Sequence, residues 1–372
     1  MLYDRIVDIS KIEKVYHDVK ITTKHKEKIV NFNTFYLTNI MQIYEILKLK
    51  KYKHGPYNIF LVKEYKYRLI MSENISDKII NHLISKEILI PLIEPRLIET
   101  NVATRKNKGT KKGIFYIKKY INEIRRKNSQ FYVLKCDIKK YFYNIDHEIL
   151  FNMLKKFIDD KDVLNILKDI LSTTNNDVTN KEINRVIQRE KERLLETNNP
   201  YIMEKFIELD SIPQYHLKKG LPIGNMSSQI LAIFYLNDLD HYIKEQLHIK
   251  YYIRYMDDLV ILHENKEYLQ DCLKKIAVFL EEKCALLLHP KKTRIYPFTK
   301  EGLNFLGYRF IIKRNCLLVL MSPDTKKKIK YHLKYVNNHN LTNKKNVYAS
   351  YKGYFDNCKH SSFFYRNDWM EF

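Results

Sequence analysis

Three aspartates stand at the ends of apolar segments of β type, where their carboxylates could share bound ions. Asp137 comes near the end of FYVLKCDI, and Asp257 and Asp258 lie between YYIRY and LVIL. An acid is costly in a protein interior unless something binds it. Carboxylates at the ends of adjacent strands can converge on two divalent cations, which activate an attacking hydroxyl and stabilise a leaving phosphate. Mg²⁺ suits such a site because it binds few carboxylates and takes its other ligands from phosphate and water.

Each of these acids also has an ordinary structural explanation when it is considered alone. An Asp-Asp pair after a strand is most often a turn, and Asp137 could cap a helix. The joint placement of all three favours metal-assisted chemistry. The five cysteines are scattered and form no C-x-x-C pair, so neither a disulfide framework nor a zinc site is expected.

Hydrophobic periodicity predicts the elements that position the acids. Residues 131–138 form a short buried strand, and residues 251–262 form a β-hairpin with the acids at its bend. Apolar residues at three-to-four spacing predict helices at 76–92, 147–158, 180–195 and 227–239, in the segment after the hairpin, and over most of the Lys-rich tail from 323. The charged amphipathic helix at 180–195 is expected to be a solvated surface element and not a site.

Charge points to a polyanionic partner. The chain carries 66 Lys and Arg against 43 Asp and Glu, a net charge of +23. The excess is concentrated in two zones: 102–128, with ten basic residues and one acid, and 286–372, with 17 basic residues and five acids. Two separated basic zones suit a long polyanion held at two places. No apolar run is long enough for a membrane span, and the charged N-terminal segment lacks the apolar block of a signal peptide, so a cytoplasmic, soluble protein is expected.

Several segments together resemble the conserved blocks of reverse transcriptases. YMDD (Tyr255–Asp258) resembles the signature hairpin of that family. The other motifs follow in the family's order: NISDKIINHL and EPRLIETNVATRKNKGTKKGI of the fingers, CDIKKYFYNIDHEIL and GLPIGNMSSQILAIFYLNDLD of the palm, HPKKTRIYPFTKEGLNFLGY leading to the primer grip, and ASYKGYFDNCKHSS of the thumb. The resemblance covers residues 61–362.

The resemblance implies an α+β right-hand polymerase fold. It places an N-terminal extension and the fingers in 1–130, a palm of antiparallel sheet backed by helices in 131–316, and a helical thumb in 317–372. Residues 172–219, here called the insertion, hold eight basic and eight acidic residues. The insertion is longer than expected between the first two palm motifs. The sequence does not show whether the insertion contacts a partner, contacts the template RNA or is peripheral.

The same resemblance implies roles for the site residues. Asp137 and Asp257 are expected to bind two Mg²⁺ ions, with Mn²⁺ as an alternative, and Asp258 to support them. The backbone carbonyl of Ile138 is a further candidate ligand. Phe142 occupies the position of the steric gate, which would exclude a ribose 2′-hydroxyl and select dNTPs, although a plain core role stays open.

Nucleotide and nucleic-acid contacts are implied for a larger set. The triphosphate is expected at Lys63 and Arg68, with Lys66 competing for the role of Lys63. The incoming base and the template nucleotide are expected above Ile223 and Gly224. Template or nucleotide contacts are expected from Arg105 and Gly109, the primer grip from Phe305, Leu306, Gly307 and Tyr308, and phosphate contacts from Lys291, Lys292 and 326–328. A solvated charged face is the alternative for any single lysine.

Two residue choices in the second palm motif indicate a particular group within the family. Most reverse transcriptases have Leu-Pro-Gln-Gly where this chain has Leu-Pro-Ile-Gly (221–224), and this chain has Ser-Gln at 228–229. Both features are typical of diversity-generating retroelement enzymes, which copy an RNA template from a DNA or RNA primer. The alternatives are a phage-defence enzyme that copies a noncoding RNA or polymerises without a conventional template, with or without an accessory protein, and an inactive RNA-binding scaffold.

Overall fold

The computed structural model describes residues 1–23, 26–63, 66–174, 177–197, 201–338, 344–355 and 357–358. In chain order the helices are α1 (Ile9–Thr22), α2 (Lys26–Thr34), α3 (Tyr36–Lys48), α4 (Ile75–Ile84), α5 (Ile90–Ile93), α6 (Gly109–Lys127), α7 (Tyr141–Asn144), α8 (His147–Lys155), α9 (Lys161–Ser172), α10 (Asp177–Leu195), α11 (Ile202–Asp210), α12 (Met226–Tyr235), α13 (Asn237–His241), α14 (Lys266–Cys284), α15 (Phe298–Glu301), α16 (Pro323–Asn338) and α17 (Lys344–Phe355). The strands are β1 (Asn58–Lys63), β2 (Tyr67–Ser72), β3 (Tyr132–Asp137), β4 (Tyr251–Tyr255), β5 (Asp258–His263), β6 (Arg294–Pro297), β7 (Leu303–Phe305), β8 (Tyr308–Lys313) and β9 (Cys316–Met321).

The predicted elements are present with shifted boundaries. The strand expected at 131–138 is β3, the hairpin is β4–β5, and the helix expected at 147–158 is α8. The single helix expected at 76–92 is interrupted, because α4 passes into a π-helical turn at Ser85–Leu89 before α5 begins. Pro91, which has no backbone N–H to continue an α-helical ladder, follows directly. The end of the expected thumb, 359–372, lies outside the described residues.

Residue contacts divide the chain into two compact units. The first comprises Met1–Ile98, Lys139–Asp240 and Phe279–Leu287. The second comprises Glu99–Ile138, His241–Val278 and Leu288–Phe372. None of the helices in the described part of the chain is both long and apolar enough to cross a membrane.

The second unit is built around an antiparallel sheet with strand order β4-β5-β3-β6. Helix α6 packs on this sheet, since Ile117, Ile121 and Ile124 share one face of the helix and are buried. Their cluster includes Val133 and Val260 of the neighbouring strands β3 and β5. A smaller antiparallel sheet, β7-β8-β9, completes the unit.

The first unit is mainly helical, with α1, α2, α3 and α12 packed against α4, and it also contains the β1–β2 hairpin. A two-stranded hairpin is marginal by itself and needs a partner for its apolar face. The insertion supplies that partner, because Ile183 of α10 is buried in one cluster with Ile59 and Leu69 of the hairpin. The charged amphipathic helix predicted at 180–195 is thus a surface helix, most of whose residues are exposed or half-buried and whose apolar side is core. The charged residues of α10 hid this contact from a one-dimensional pattern.

Candidate active site

The β3 and β5 strands bring two of the predicted acids together. In the antiparallel pairing of these strands, Asp137 is the cross-strand partner of Asp258. Tyr255 pairs with Asp258 across the β4–β5 hairpin, which leaves Met256 and Asp257 as a two-residue loop. Met256, the first residue of this loop, has a φ of 55°. A positive φ at that position is typical of two-residue hairpin loops. The register thus places all three acids at one end of the sheet.

A buried arginine that sequence patterns missed holds this loop in place. Arg254 is fully buried, and its Nη1 donates to the carbonyl of Met256 at 2.9 Å. Its backbone N–H donates to Thr100, and its carbonyl accepts from Val102. A buried guanidinium needs acceptors such as the Met256 carbonyl, because an unpaired buried charge is very costly. The available signal was a lone charge inside the apolar run YYIRY, beside the acids.

Two lysines pair with the acids. The ammonium Nζ of Lys292 lies 2.9 Å from Oδ2 and 3.3 Å from Oδ1 of Asp137. Lys135, in the middle of β3, places its Nζ 3.1 Å from Oδ2 of Asp258. The backbone N–H of His289 donates to the carbonyl of Asp137 at 2.7 Å, which fixes the start of the loop that carries Lys292. Lys292, expected as a phosphate contact, thus lies on a candidate metal ligand.

Burial and mutual repulsion raise the pKa values of Asp257 and Asp258. Burial raises the pKa of Asp257, and the charge of Asp137 adds to the rise against the opposing Lys292 and Arg254. Burial also raises the pKa of Asp258 to about 6 against the opposing Lys135, with the charges of Asp257 and Asp137 adding to the rise. Among the described atoms, Oδ1 of Asp258 is buried without a hydrogen-bond partner.

The donor set fits a magnesium site that substrate completes. Within the described residues, no three His, Cys, Asp or Glu side chains are grouped closely enough to hold a metal ion by themselves. Mg²⁺ is usually bound through one or two carboxylates plus substrate phosphates and water. The carboxylates of Asp257 and Asp258 have raised pKa values, and Oδ1 of Asp258 has no hydrogen bond among the described atoms. Both features suit ligands of a cation that takes its remaining oxygens from substrate and water.

Residues 50–310, which include these acids and their lysines, match the family model described as reverse transcriptase (RNA-dependent DNA polymerase). The chain belongs to the reverse transcriptase family. This confirms the predicted family and its α+β fold class, and the sheet β4-β5-β3-β6 is the family's expected antiparallel palm sheet. The match ends at 310, so it covers neither α16 nor α17 of the expected thumb.

Individual relatives of this reverse transcriptase family member are distant. A putative COX1/OXI3 intron 2 protein of Saccharomyces cerevisiae is 25% identical over 201 residues, which is 47% of this chain and 23% of that protein. Telomerase from Candida albicans, solved with a telomeric RNA fragment, gives a TM-score of 0.45 at 13% identity over 77% of this chain and 50% of its own. Apo telomerase from Candida tropicalis, truncated from its C-terminal domain, gives 0.46 at 14% identity, over 77% and 60% respectively. The chain thus spans about a quarter of the curated relative it matches.

In the first unit, two of the palm motifs and strand β2 meet through backbone contacts. The carbonyl of Phe142, which is half-buried in α7, accepts a hydrogen bond from the N–H of Leu221 at 2.7 Å. The N–H of Met71 in β2 donates to the carbonyl of Ile223 at 2.9 Å. Gly224 has a φ of 139°, and a Cβ there would lie 2.6 Å from the carbonyl oxygen of Met71. Only glycine allows this approach without strain.

The cations predicted for the triphosphate are exposed at the end of the hairpin. Lys63 pairs with Tyr67 across the hairpin and Val62 pairs with Arg68. Because successive strand residues alternate in direction, Lys63 and Arg68 project from opposite faces. The Nζ of Lys63 lies 5.8 Å from the centre of the Tyr67 ring. Lys66 lies outside both strands.

The remaining predicted contacts lie in the second unit. Gly109, with a φ of 80°, begins α6 and donates its N–H to the carbonyl of Val102, while Arg105 donates to the carbonyl of Asn101. Phe305 and Tyr308 are buried, so their side chains belong to the core, and Leu306 and Gly307 form the turn between β7 and β8. Ile138 bridges to Leu288, and Lys291 and 327–328 are exposed.

Proposed function

We propose that this chain is an RNA-directed DNA polymerase, in which Asp137 and Asp257 hold two Mg²⁺ ions and Asp258 supports them. The observation that carries the proposal is the strand register that sets Asp137 opposite Asp258 beside the Asp257 loop. Burial, with the charges of neighbouring aspartates, raises the pKa values of Asp257 and Asp258 there. Such acids are stabilised in their ionised form by a bound cation. The intact acids argue against an inactive scaffold.

The bound ions would polarise the transferred phosphate, activate the primer 3′-hydroxyl and stabilise the leaving pyrophosphate. The chain's own groups orient the reactants. Arg254 holds the loop that carries Asp257, and Lys135 holds Asp258. Phe142 excludes the ribose 2′-hydroxyl, so dNTPs are the substrates. The basic excess of the chain binds the RNA template and a DNA or RNA primer through their phosphates, which confers affinity and salt dependence without sequence choice.

Primer extension tests this proposal. The purified chain is given a primed RNA template, dNTPs and Mg²⁺, beside Asp257→Ala and the control Asp271→Ala, whose acid is exposed on α14 and pairs only with Lys275 among the contacts described for it. The wild type and the control are expected to extend the primer. The extension rate of Asp257→Ala is expected to fall at least ~10³-fold, because the variant removes a ligand of the catalytic ions. A wild type that binds primed RNA but extends nothing with either Mg²⁺ or Mn²⁺ would favour the scaffold.

The biological type that we favour is the diversity-generating one. Ile223 replaces a glutamine that could hydrogen-bond near the nucleotide sugar and template, and isoleucine offers no such bond. The half-buried Ile223 is fixed through its carbonyl by Met71, so its side chain alone differs. We expect Ile223→Gln to lower misincorporation opposite template adenines, measured by sequencing the cDNA. Unchanged misincorporation would leave the phage-defence type equally supported, and identifying the RNA that co-purifies would then separate the two.

A further inference from the structure

The insertion makes its closest polar contacts with a single residue of the β1–β2 hairpin. The backbone N–H of Tyr67 donates to Oε1 of Glu208 on α11 at 2.6 Å, and the phenol of Tyr67 donates to Oε1 of Glu190 on α10 at 2.8 Å. The second oxygen of Glu208 pairs with Lys205 at 2.7 Å. Charge-assisted hydrogen bonds of this kind are shorter and stronger than neutral ones. Both helices of the insertion are thereby attached to one position.

Apolar packing shields these hydrogen bonds. Tyr67 is buried together with Leu194 of α10 and Leu209 of α11. The side chains of Glu190 and Glu208 are only 15% and 19% exposed. Burying a carboxylate to this extent costs free energy unless the carboxylate is hydrogen-bonded. These two glutamates therefore depend on their bonds to Tyr67, unlike the acids of a solvated charged face.

Tyr67 lies between the cations Lys66 and Arg68. Strand alternation turns Tyr67 toward the insertion and Arg68 toward the opposite face, where Arg68 is exposed. The insertion therefore holds the hairpin without covering Arg68. Met71, four residues further along β2, bonds the same edge of that strand to Ile223, because residues two or four apart in a strand send their N–H groups to the same side. The free edge of β2 is thus attached to the insertion at Tyr67 and to the Ile223–Gly224 loop at Met71.

We propose that the insertion positions the β1–β2 hairpin for the incoming nucleotide, with Glu190 and Glu208 as positioning residues that act through Tyr67. This inference rests on the proposed function and on the expectation that the hairpin cations bind the triphosphate. A hairpin released from the insertion occupies its binding-competent placement for a smaller fraction of the time. The apparent affinity for nucleotide falls by that fraction, whereas saturating nucleotide restores the competent placement. Loss of the insertion contact consequently raises KM for dNTP and leaves kcat nearly unchanged.

Point variants are preferable to removing the insertion, which would expose the apolar face of the hairpin. Glu208→Ala is expected to raise KM for dNTP on the order of tenfold with kcat within about twofold, the effect of losing one charge-assisted hydrogen bond. Glu208→Gln keeps an acceptor for the Tyr67 N–H and is expected to restore KM to within about threefold of wild type. Tyr67→Phe removes the hydroxyl that donates to Glu190 and keeps the backbone N–H that donates to Glu208, so it gives a smaller rise. Glu204→Ala, an exposed acid on α11, is the matched control.

Hydrogen exchange separates this inference from the proposed function. In Glu208→Ala the amides of 66–72 are expected to exchange several-fold faster than in wild type, and those of β3 to be unchanged. If the wild type does not polymerise, the proposed function fails, and unchanged exchange at 66–72 then overturns the positioning contact as well. If the wild type is active, the inference is overturned when Glu208→Ala has the wild-type KM for dNTP, whether or not its kcat is reduced. This holds whatever the rate of hydrogen exchange at 66–72.

Discussion

Lys292 forms an ion pair with Asp137, the acid at the end of the central strand β3, with its Nζ 2.9 Å from Oδ2. Both residues belong to the second unit, and the loop that carries Lys292 is bonded to the backbone of Asp137 through His289. A cation is therefore built into the place where a divalent ion would bind. The Lys292 side chain is 60% exposed and Asp137 is 17% exposed, so the lysine can leave for solvent while the acid stays shielded.

Replacing Lys292 is expected to tighten metal binding in the absence of nucleotide. Lys292→Met removes a competing cation, and partly exposed ion pairs are worth ~0.2–1 kcal/mol, so the affinity for Mn²⁺ should rise by about 1.4- to fivefold. Titration followed by electron paramagnetic resonance of free Mn²⁺ measures this. Lys291→Met, an exposed neighbour in the same loop, should bind like wild type. Equal or weaker binding by Lys292→Met would show that the ion pair does not compete with metal.

Asp258 is expected to make stability depend on pH when metal is removed. Its pKa is raised from 3.8 to about 6 in the folded protein, so the folded state binds the proton more tightly than the unfolded state. The resulting stabilisation is complete below pH 3.8 and is lost as pH rises to about 6. Urea denaturation in EDTA should show a larger loss in wild type than in Asp258→Asn, in which Asp257 still has a raised pKa, and excess Mg²⁺ should reduce the loss. Stability curves that stay parallel between the two proteins from pH 4 to 7 would refute the assignment.

Local patterns were sufficient for the palm sheet and its acids. The run YYIRY, the acids and LVIL predicted the β4–β5 hairpin because turn and strand preferences are set by neighbouring residues. The pairings of Lys292 and Lys135 with the acids join positions far apart in sequence or on separate strands. A charge excess does not say which lysine meets which acid, and these contacts could only come from the tertiary structure.

The insertion shows the same division. Its helix at 180–195 was predicted from periodicity, and α10 extends from Asp177 to Leu195. Its burial against the hairpin was not predicted, because a helix with so many charges has no pattern that names its partner. Nothing in the sequence distinguishes Tyr67, which lies between two cations. Its role comes from the hydrogen bonds that it donates to Glu190 and Glu208, which are more than a hundred residues away in the chain.

The faces of the hairpin predict unequal roles for its cations. Arg68→Ala is expected to raise KM for dNTP by about 10- to 100-fold, the range for hydrogen bonds to a charged group. Lys63 shares the insertion-facing side with Tyr67, whereas Lys66 lies at the tip. We therefore expect Lys66→Ala to raise KM more than Lys63→Ala. Steady-state kinetics with one dNTP varied decide this, and the opposite order would assign the triphosphate to Lys63.

Phe142 is expected to select dNTPs over rNTPs. Phe142→Ala opens the space that a 2′-hydroxyl needs, so kcat/KM for rNTPs should rise on the order of tenfold or more, with that for dNTPs falling only a few-fold. Single-nucleotide incorporation measures both. Phe115→Ala, which truncates an exposed ring on α6, controls for loss of a phenyl group. If Phe142→Ala rejects rNTPs as wild type does, the ring is core and the gate lies elsewhere.

Gly224 is expected to be intolerant of any side chain. Its φ of 139° is strained for other residues, and a Cβ would overlap the carbonyl of Met71, whose N–H is bonded to Ile223. Gly224→Ala should therefore cost ~1–3 kcal/mol of unfolding free energy and disturb the attachment of β2 to the Ile223–Gly224 loop. Gly353→Ala, in α17 with no atom within 4 Å of an added Cβ, should be neutral or stabilising by up to ~1 kcal/mol. Urea denaturation compares the two variants. Equal stability of Gly224→Ala and wild type would mean that β2 and the loop can separate at little cost, and the hairpin would then depend on the insertion alone for its placement.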